Sequence, residues 1–196
     1  MTKTTRTPKL IALGLAAAGL LALPAAGQAK SFGSHLKDGI QPSNASTAHK
    51  CDPHPGDQCT RILLEGYSDG AGVPSPTAQK DGTITKLRLI AGEAGSFRFL
   101  LGDAKPNQEK ARVTYRGPRL SYNGSGNQYK VRTINVNVPV HEGDYLGIEA
   151  KKTSMLRCSS GGPNQLLFQP PLMPGGSFQN ADATDGCWLL LEAVIN

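Results

Sequence analysis

The stretch His49-Lys50-Cys51-Asp52-Pro53-His54-Pro55-Gly56-Asp57-Gln58-Cys59 gathers two thiols, two imidazoles and two carboxylates into eleven residues. Two chemistries use such a set. His49, Cys51, His54 and Cys59 are donors of the kind that hold zinc, but a zinc knuckle takes three cysteines in a longer register. The alternative is a staple: Pro53, Pro55 and Gly56 turn the chain so that Cys51 and Cys59 meet across a short loop. The chain has four cysteines, and pairing Cys51 with Cys59 leaves Cys158 for Cys187. In an oxidising compartment such pairs become disulfides. We therefore expect two disulfides and no bound metal, with the two other pairings of four cysteines still open.

Other chemistry is sparse. The chain contains no nucleophile elbow, phosphate loop, dinucleotide fingerprint or paired-histidine zinc motif. Of its histidines, only His141 falls among the strand-like runs, in His141-Glu142-Gly143-Asp144, where a turn with Gly143 at positive φ accounts for the residues without any ligand. Asp182-Ala183-Thr184-Asp185-Gly186 offers two carboxylates to a calcium ion but lacks the EF-hand register. No catalytic residue and no cofactor are assigned. The balance favours a non-enzymatic protein, with a secreted hydrolase of wall or extracellular polymer as the alternative.

The elements that must position these residues are short runs of alternating apolar and polar residues separated by Gly, Pro, Asn and Asp, the pattern of half-buried strands. In Thr83 to Leu89, Leu87 and Leu89 face in while Lys86 and Arg88 face out. Phe97, Phe99 and Leu101 repeat the pattern after a hairpin turn at Gly92 to Gly95, with Ser96 and Arg98 outward. Ala111 to Arg116 and Thr133 to Val138 alternate again. Cys187 to Ile195 is apolar on both sides, as a central strand would be, and Trp188 within it reads as core. Met155 to Gly186 is rich in Gly and Pro and reads as a long loop, a place where binding residues tend to sit.

At the N-terminus, Lys3, Arg6 and Lys9 precede the apolar run Leu10 to Leu23 and the small residues up to Ala29, the features of a secretory signal peptide. The run is too short to span a bilayer, so the mature chain is not expected to be transmembrane. This gives a signal peptide at 1–29, a flexible segment at 30–50 and one folded domain at 51–196. Without the leader, 18 Lys and Arg face 15 Asp and Glu, so the mature charge is +3 rather than +6.

The charge is unevenly spread. Residues 86 to 132 hold ten cations against three acids. Lys86, Arg88, Arg98, Arg112 and Arg116 lie on the outward side of proposed strands, and Tyr115, Tyr122 and Tyr129 fall in the same stretch. If those strands were neighbours, the eight residues would form a cationic, aromatic face for an anionic polymer. The competing reading is a solvated sheet face. Nucleic acid is not expected as a partner of an exported chain.

The phrases Asp81-Gly82-Thr83-Ile84-Thr85-Lys86-Leu87-Arg88-Leu89 and Val138-Pro139-Val140-His141-Glu142-Gly143-Asp144-Tyr145-Leu146-Gly147-Ile148, with a final apolar strand, resemble secreted β-sandwich proteins common in actinobacteria and without an assigned activity. The likeness covers residues 60 to 196 and carries over no catalytic residue. It implies an all-β fold, a single antiparallel β-sandwich, jelly-roll-like or Ig-like, in the envelope or medium. The expected role is binding of a glycan or anionic envelope polymer, or a structural one.

Overall fold

A computed structural model describes residues 30–43, 49–50, 57–70, 72, 74–124, 128–158 and 162–196. The proposed signal peptide, Cys51 and His54 lie outside the described residues. The chain is nearly all β, in the order β1 (Lys30–Gly33), β2 (His49–Lys50), β3 (Cys59–Leu63), β4 (Gly82–Leu89), β5 (Gly95–Lys105), β6 (Lys110–Tyr122), β7 (Arg132–Val140), β8 (Tyr145–Ala150), β9 (Lys152–Thr153), β10 (Leu156–Cys158), β11 (Gln165–Phe168), β12 (Gln179–Asn180), β13 (Ala183–Asp185), β14 (Cys187–Leu189) and β15 (Leu191–Ile195). One sheet runs β1-β15-β4-β7 and a larger one β12-β6-β5-β8-β3-β11-β13, with two small ribbons, β10-β14 and β2-β9. The strand pairs are antiparallel. Among the described residues no helix is long and apolar enough to cross a membrane.

The seven-stranded sheet cannot be flat. Its outermost strands, β12 and β13, are separated by only Ala181 and Asp182. Three residue steps reach at most about 11 Å, whereas six strand spacings amount to about 29 Å. The sheet therefore curls into a half-barrel whose edges are drawn together by that link, anchored by Ala181 N–H on the Glu109 carbonyl and Asp182 N–H on the Leu167 carbonyl.

Alternation places side chains on both faces of the curled sheet. Phe97, Phe99 and Leu101 of β5 and Leu146 and Ile148 of β8 join Ile84, Leu87 and Leu89 of β4, Leu191 and Ile195 of β15 and Phe32 of β1 in the principal core. The other face holds a second core of Ile62, Leu100, Val113, Leu166, Phe168 and Leu172. A third, smaller cluster of Leu36, Ile40, Ile90 and Leu190 is packed by Tyr67, Tyr129 and Val131.

Several expectations are met. Leu87 and Leu89 are buried and Lys86 is exposed. β15 lies between β1 and β4, which explains its apolar residues on both faces. Gly143 has φ +91°, a conformation open to glycine, and the buried Asp144 carboxylate accepts from His141 N–H at 2.8 Å to close the turn.

Other expectations are corrected. Residues 30–43 are not a lead-in: β1 pairs with β15, and Phe32, Leu36 and Ile40 are buried. The spaced apolar residues of an otherwise polar segment suffice because β15 offers an open edge. Gly92–Gly95 does not form a hairpin, since β4 and β5 belong to different sheets and the buried Ile90 and Ala91 carry the chain across. Met155 to Gly186 is not one long loop: it contains β10 to β13, and every residue of the Gln165–Phe168 strand is buried. Trp188 is half-buried, edge-on to Tyr67 with centroids 5.6 Å apart, rather than in the core. The described residues contain one disulfide, Cys158–Cys187, where two were expected; the other expected pair includes Cys51, outside the described residues. That bond joins directly paired residues of β10 and β14.

Edge strand β7 is blunted by a bulge opposite Ile84 to Lys86 and by Pro139, which has no N–H to offer a further strand. The curled sheet also buries charge. Arg61, its side chain 5% exposed, donates to Asp185 Oδ2 at 3.0 Å, while Asp185 Oδ1 accepts from Cys187 N–H. Burial lowers the Arg61 pKa and the Asp185 carboxylate works against that, so the pair is kept charged by contact rather than by water.

Asp185→Ala leaves the buried guanidinium without that carboxylate, and urea denaturation is expected to show a loss of about 3 kcal/mol, with Asp185→Asn losing less. A second expectation concerns pH. Burial, then repulsion from Asp103 and Asp81, raises the Asp144 carboxyl above the usual range, against the hydrogen bond from His141. The folded chain thus holds this proton more tightly than the unfolded chain, and the group favours folding at low pH and opposes it as pH rises through its folded pKa. In melts of Asp144→Asn beside the unsubstituted protein, the variant should lose ground steadily as pH falls from about 7 toward about 4.

Candidate anion-binding groove

The site begins with a row of side chains across the curled sheet. The register sets Arg119 opposite Arg98, Arg98 opposite Glu149, Glu149 opposite Thr60 and Thr60 opposite Phe168, across β6, β5, β8, β3 and β11. Two arginines directly opposite one another repel. Glu149, with 0% exposure, is the counter-charge: Arg116 grips it in a fork, Nε to Oε2 at 2.6 Å and Nη2 to Oε1 at 2.8 Å, and Arg98 Nε lies 3.6 Å from Oε1. The hydrogen bonds that Arg116 donates to Glu149 are the main cause of the raised pKa of Arg116. Gln58, with its amide turned to satisfy both neighbours, donates to Glu149 Oε1 at 2.6 Å and accepts from Arg119 Nη2 at 3.0 Å.

A regular strand would send Arg116 and Arg119, three residues apart, to opposite faces. The pairing slips between Arg98↔Arg119 and Leu100↔Arg116, a bulge at Gly117-Pro118 that brings both guanidiniums to the Glu149 side. One carboxylate thus faces three arginines. Arg116 occupies both of its oxygens, and Arg119 is held by Ser96 Oγ at 3.2 Å and Gln58, with no carboxylate of its own among the described residues.

Above this row lies a cleft of about 440 Å³ lined by Ala94, Gly95, Ser96, Arg119, Ser121, Tyr122, Lys151 and Lys152. Ser96 and Ser121 face each other across β5 and β6, and the two lysines follow where β8 ends. A second cleft of about 420 Å³ shares Ser121 and Tyr122 and adds Asn123, Val131, Arg132, Thr133 and Ile134. Among the described lining residues of both there is no acid, and Arg119, Arg132, Lys151 and Lys152 are all exposed. The two clefts adjoin at Ser121 and Tyr122, which line both, and together they are taken as one cationic groove.

The residues singled out from sequence are dispersed. Lys86 and Arg88 stand on the four-stranded sheet and Arg98, Arg112 and Arg116 on the curled one, so the five do not share a face. Arg88 donates to Glu192 Oε2 at 2.6 Å and to the Leu36 carbonyl, and Arg112 pairs with Asp103 at 2.6 Å beside the Phe178 ring. Tyr115 is half-buried against Phe99, Tyr122 is buried against Phe97, and Tyr129 packs half-buried on the third cluster at φ +42°. Only Tyr122 borders the groove, with Arg98 and Arg116 supporting it from below. His141 is 82% exposed, its Nδ1 3.6 Å from Asp81. Cys158, Asp185 and Cys187 come together closely enough to suggest a metal site, but both sulfurs are joined in the disulfide and neither is a thiolate.

Sequence reasoning passed over Glu149, Lys151, Lys152, Ser96 and Ser121 and left Arg119 and Arg132 among the undifferentiated cations. A signal was present: Tyr145 to Ala150 is an apolar strand interrupted by a single acid and followed at once by Lys151-Lys152.

The fold and groove define an all-β, disulfide-bonded protein with a preformed cationic cleft. Comparison with protein-family models, curated proteins and solved structures finds no match to this chain.

Removing the counter-charge exposes its role. Glu149→Ala leaves the partly exposed guanidinium of Arg116 without its carboxylate, and chemical denaturation should show a loss of about 1–3 kcal/mol, less than for a fully buried pair because water reaches the arginine. Glu149→Gln, which keeps hydrogen-bond acceptors, should lose less.

Proposed function

We propose that the chain is a secreted, non-enzymatic protein of the envelope or medium that binds an anionic glycan or envelope polymer along the paired clefts. Its two sheets pack as a β-sandwich of the kind seen in the secreted actinobacterial proteins its sequence resembles. The sandwich reading is supported by the principal core, which draws apolar side chains from both sheets. Export is supported by the disulfide, which persists in oxidising compartments.

The observation that carries the binding reading is a contrast in how the cations are used. Arg61, Arg88, Arg112 and Arg116 each donate to a carboxylate, and Arg98 lies at ion-pair distance from one. Arg119, Arg132, Lys151 and Lys152 converge on one groove and form no ion pair among the described residues. Cations gathered without counter-charge raise the local concentration of an anion through their summed field, and the effect weakens as salt screens it over about 8 Å at physiological ionic strength.

The test is retention of the chain from Lys30 onward on an acidic-polysaccharide or teichoic-acid-like column. Retention is expected at low salt, with elution as salt rises. Arg119→Gln, Lys151→Gln and Lys152→Gln together should abolish it. An equal loss of charge at Lys30, Lys86 and Lys105, exposed cations elsewhere, should leave most of it in place. Equal losses in the two triple variants would reduce the groove to a share of the net charge.

A further inference from the structure

We propose that the two clefts divide the ligand between them: the Arg119 cleft takes a tetrahedral oxyanion, a sulfate ester or phosphomonoester, and the Arg132 cleft takes the polyhydroxylated unit that carries it. This rests on the anionic-polymer reading and names the ligand class of the same groove.

The first cleft is rich in donors. A guanidinium has five N–H donors and no acceptor. Arg119 spends one on Ser96 Oγ and one on Gln58, leaving three, and Lys151 and Lys152 bring ammonium donors from the end of β8. Ser96 Oγ accepts from Arg119, so its own O–H is left to donate. Among the described residues no carboxylate or side-chain amide lines this cleft, and its side-chain acceptors are the Ser96, Ser121 and Tyr122 hydroxyls, so donors predominate.

Donors also stand on two walls, Arg119 and Ser96 on the β5–β6 side and the lysines on the β8–β9 side. A planar carboxylate presents two oxygens in one plane, and a single arginine fork satisfies both. A terminal sulfate or phosphate presents three oxygens in divergent directions, so each wall takes its own. The buried row adds to the preference: one carboxylate among Arg98, Arg116 and Arg119 leaves excess positive charge under the cleft floor.

The second cleft shares Ser121 and Tyr122 with the first and carries less charge. Arg132 is its only cation among the described lining residues, beside Asn123 and Thr133, which both donate and accept, and the half-buried Ile134. Mixed donors and acceptors suit the hydroxyls of a sugar or polyol.

The experiment is titration calorimetry at about 0.15 M ionic strength with four probes: a sulfated oligosaccharide, a phosphomonoester-bearing oligosaccharide, a carboxylated oligosaccharide of equal length and charge, and inorganic sulfate. At least one of the first two should bind about tenfold tighter than the carboxylated probe, and which of them does identifies the ester. Lys151→Gln with Lys152→Gln, which removes the second wall and keeps the arginine fork, should shrink that preference by about tenfold. Asn123→Ala with Thr133→Val should weaken the oligosaccharides severalfold and leave inorganic sulfate unchanged. Equal binding of the carboxylated probe would overturn the inference while leaving the anionic-polymer reading in place. Absence of binding by all the oligosaccharides would overturn both. Equal losses for inorganic sulfate and oligosaccharide in the second-cleft variant would overturn the division into two subsites.

Discussion

The curl of the seven-stranded sheet is the constraint on which the rest of the structure depends. Two residues, Ala181 and Asp182, join strands that would stand far apart in a flat sheet, so the sheet must bend until its edges approach. Bending gives it two unlike faces, and both are used for apolar packing. One meets the four-stranded sheet through Phe97, Phe99, Leu146 and Ile148; the other encloses Ile62, Leu100, Leu166 and Phe168, with Leu172 packed among them. The link also explains why a segment so rich in Gly and Pro is ordered, since it supplies both edges as well as the inner strand β11.

Charge follows the same geometry. On the face that holds the second core, the apolar residues give way to the row from Arg119 to Glu149. A carboxylate wholly removed from water is costly unless its acceptor positions are filled. Here a forked arginine and an amide fill them, and the amide reaches on to hold Arg119. The buried pair thus contributes less to net stability than to the position of a surface guanidinium. The bulge at Gly117-Pro118 makes this possible by overriding the alternation that would have turned Arg116 away.

Pattern in the chain determined the all-β class, the inward residues of β4 and β5, the outward asparagines of β7, the central place of β15 and the turn at Gly143, because each depends on neighbours one or two residues away and on which face is apolar. It also favoured the pairing of Cys158 with Cys187, which the structure shows. Only the tertiary structure decided which strands share a sheet. Gly92 to Gly95 has hairpin composition, yet the chain crosses between sheets there, because pairing partners are chosen by long-range packing that composition does not encode. The cations Lys86, Arg88, Arg98, Arg112 and Arg116 look alike in sequence; their separation onto two sheets and the pairing of the four arginines with Glu192, Glu149 and Asp103 are set by cross-strand register. The groove belongs to the same class of fact. Arg119 lies more than thirty positions from the adjacent Lys151 and Lys152 along the chain, and the curl of the sheet is what brings them to a common cleft, without an ion pair among the described residues.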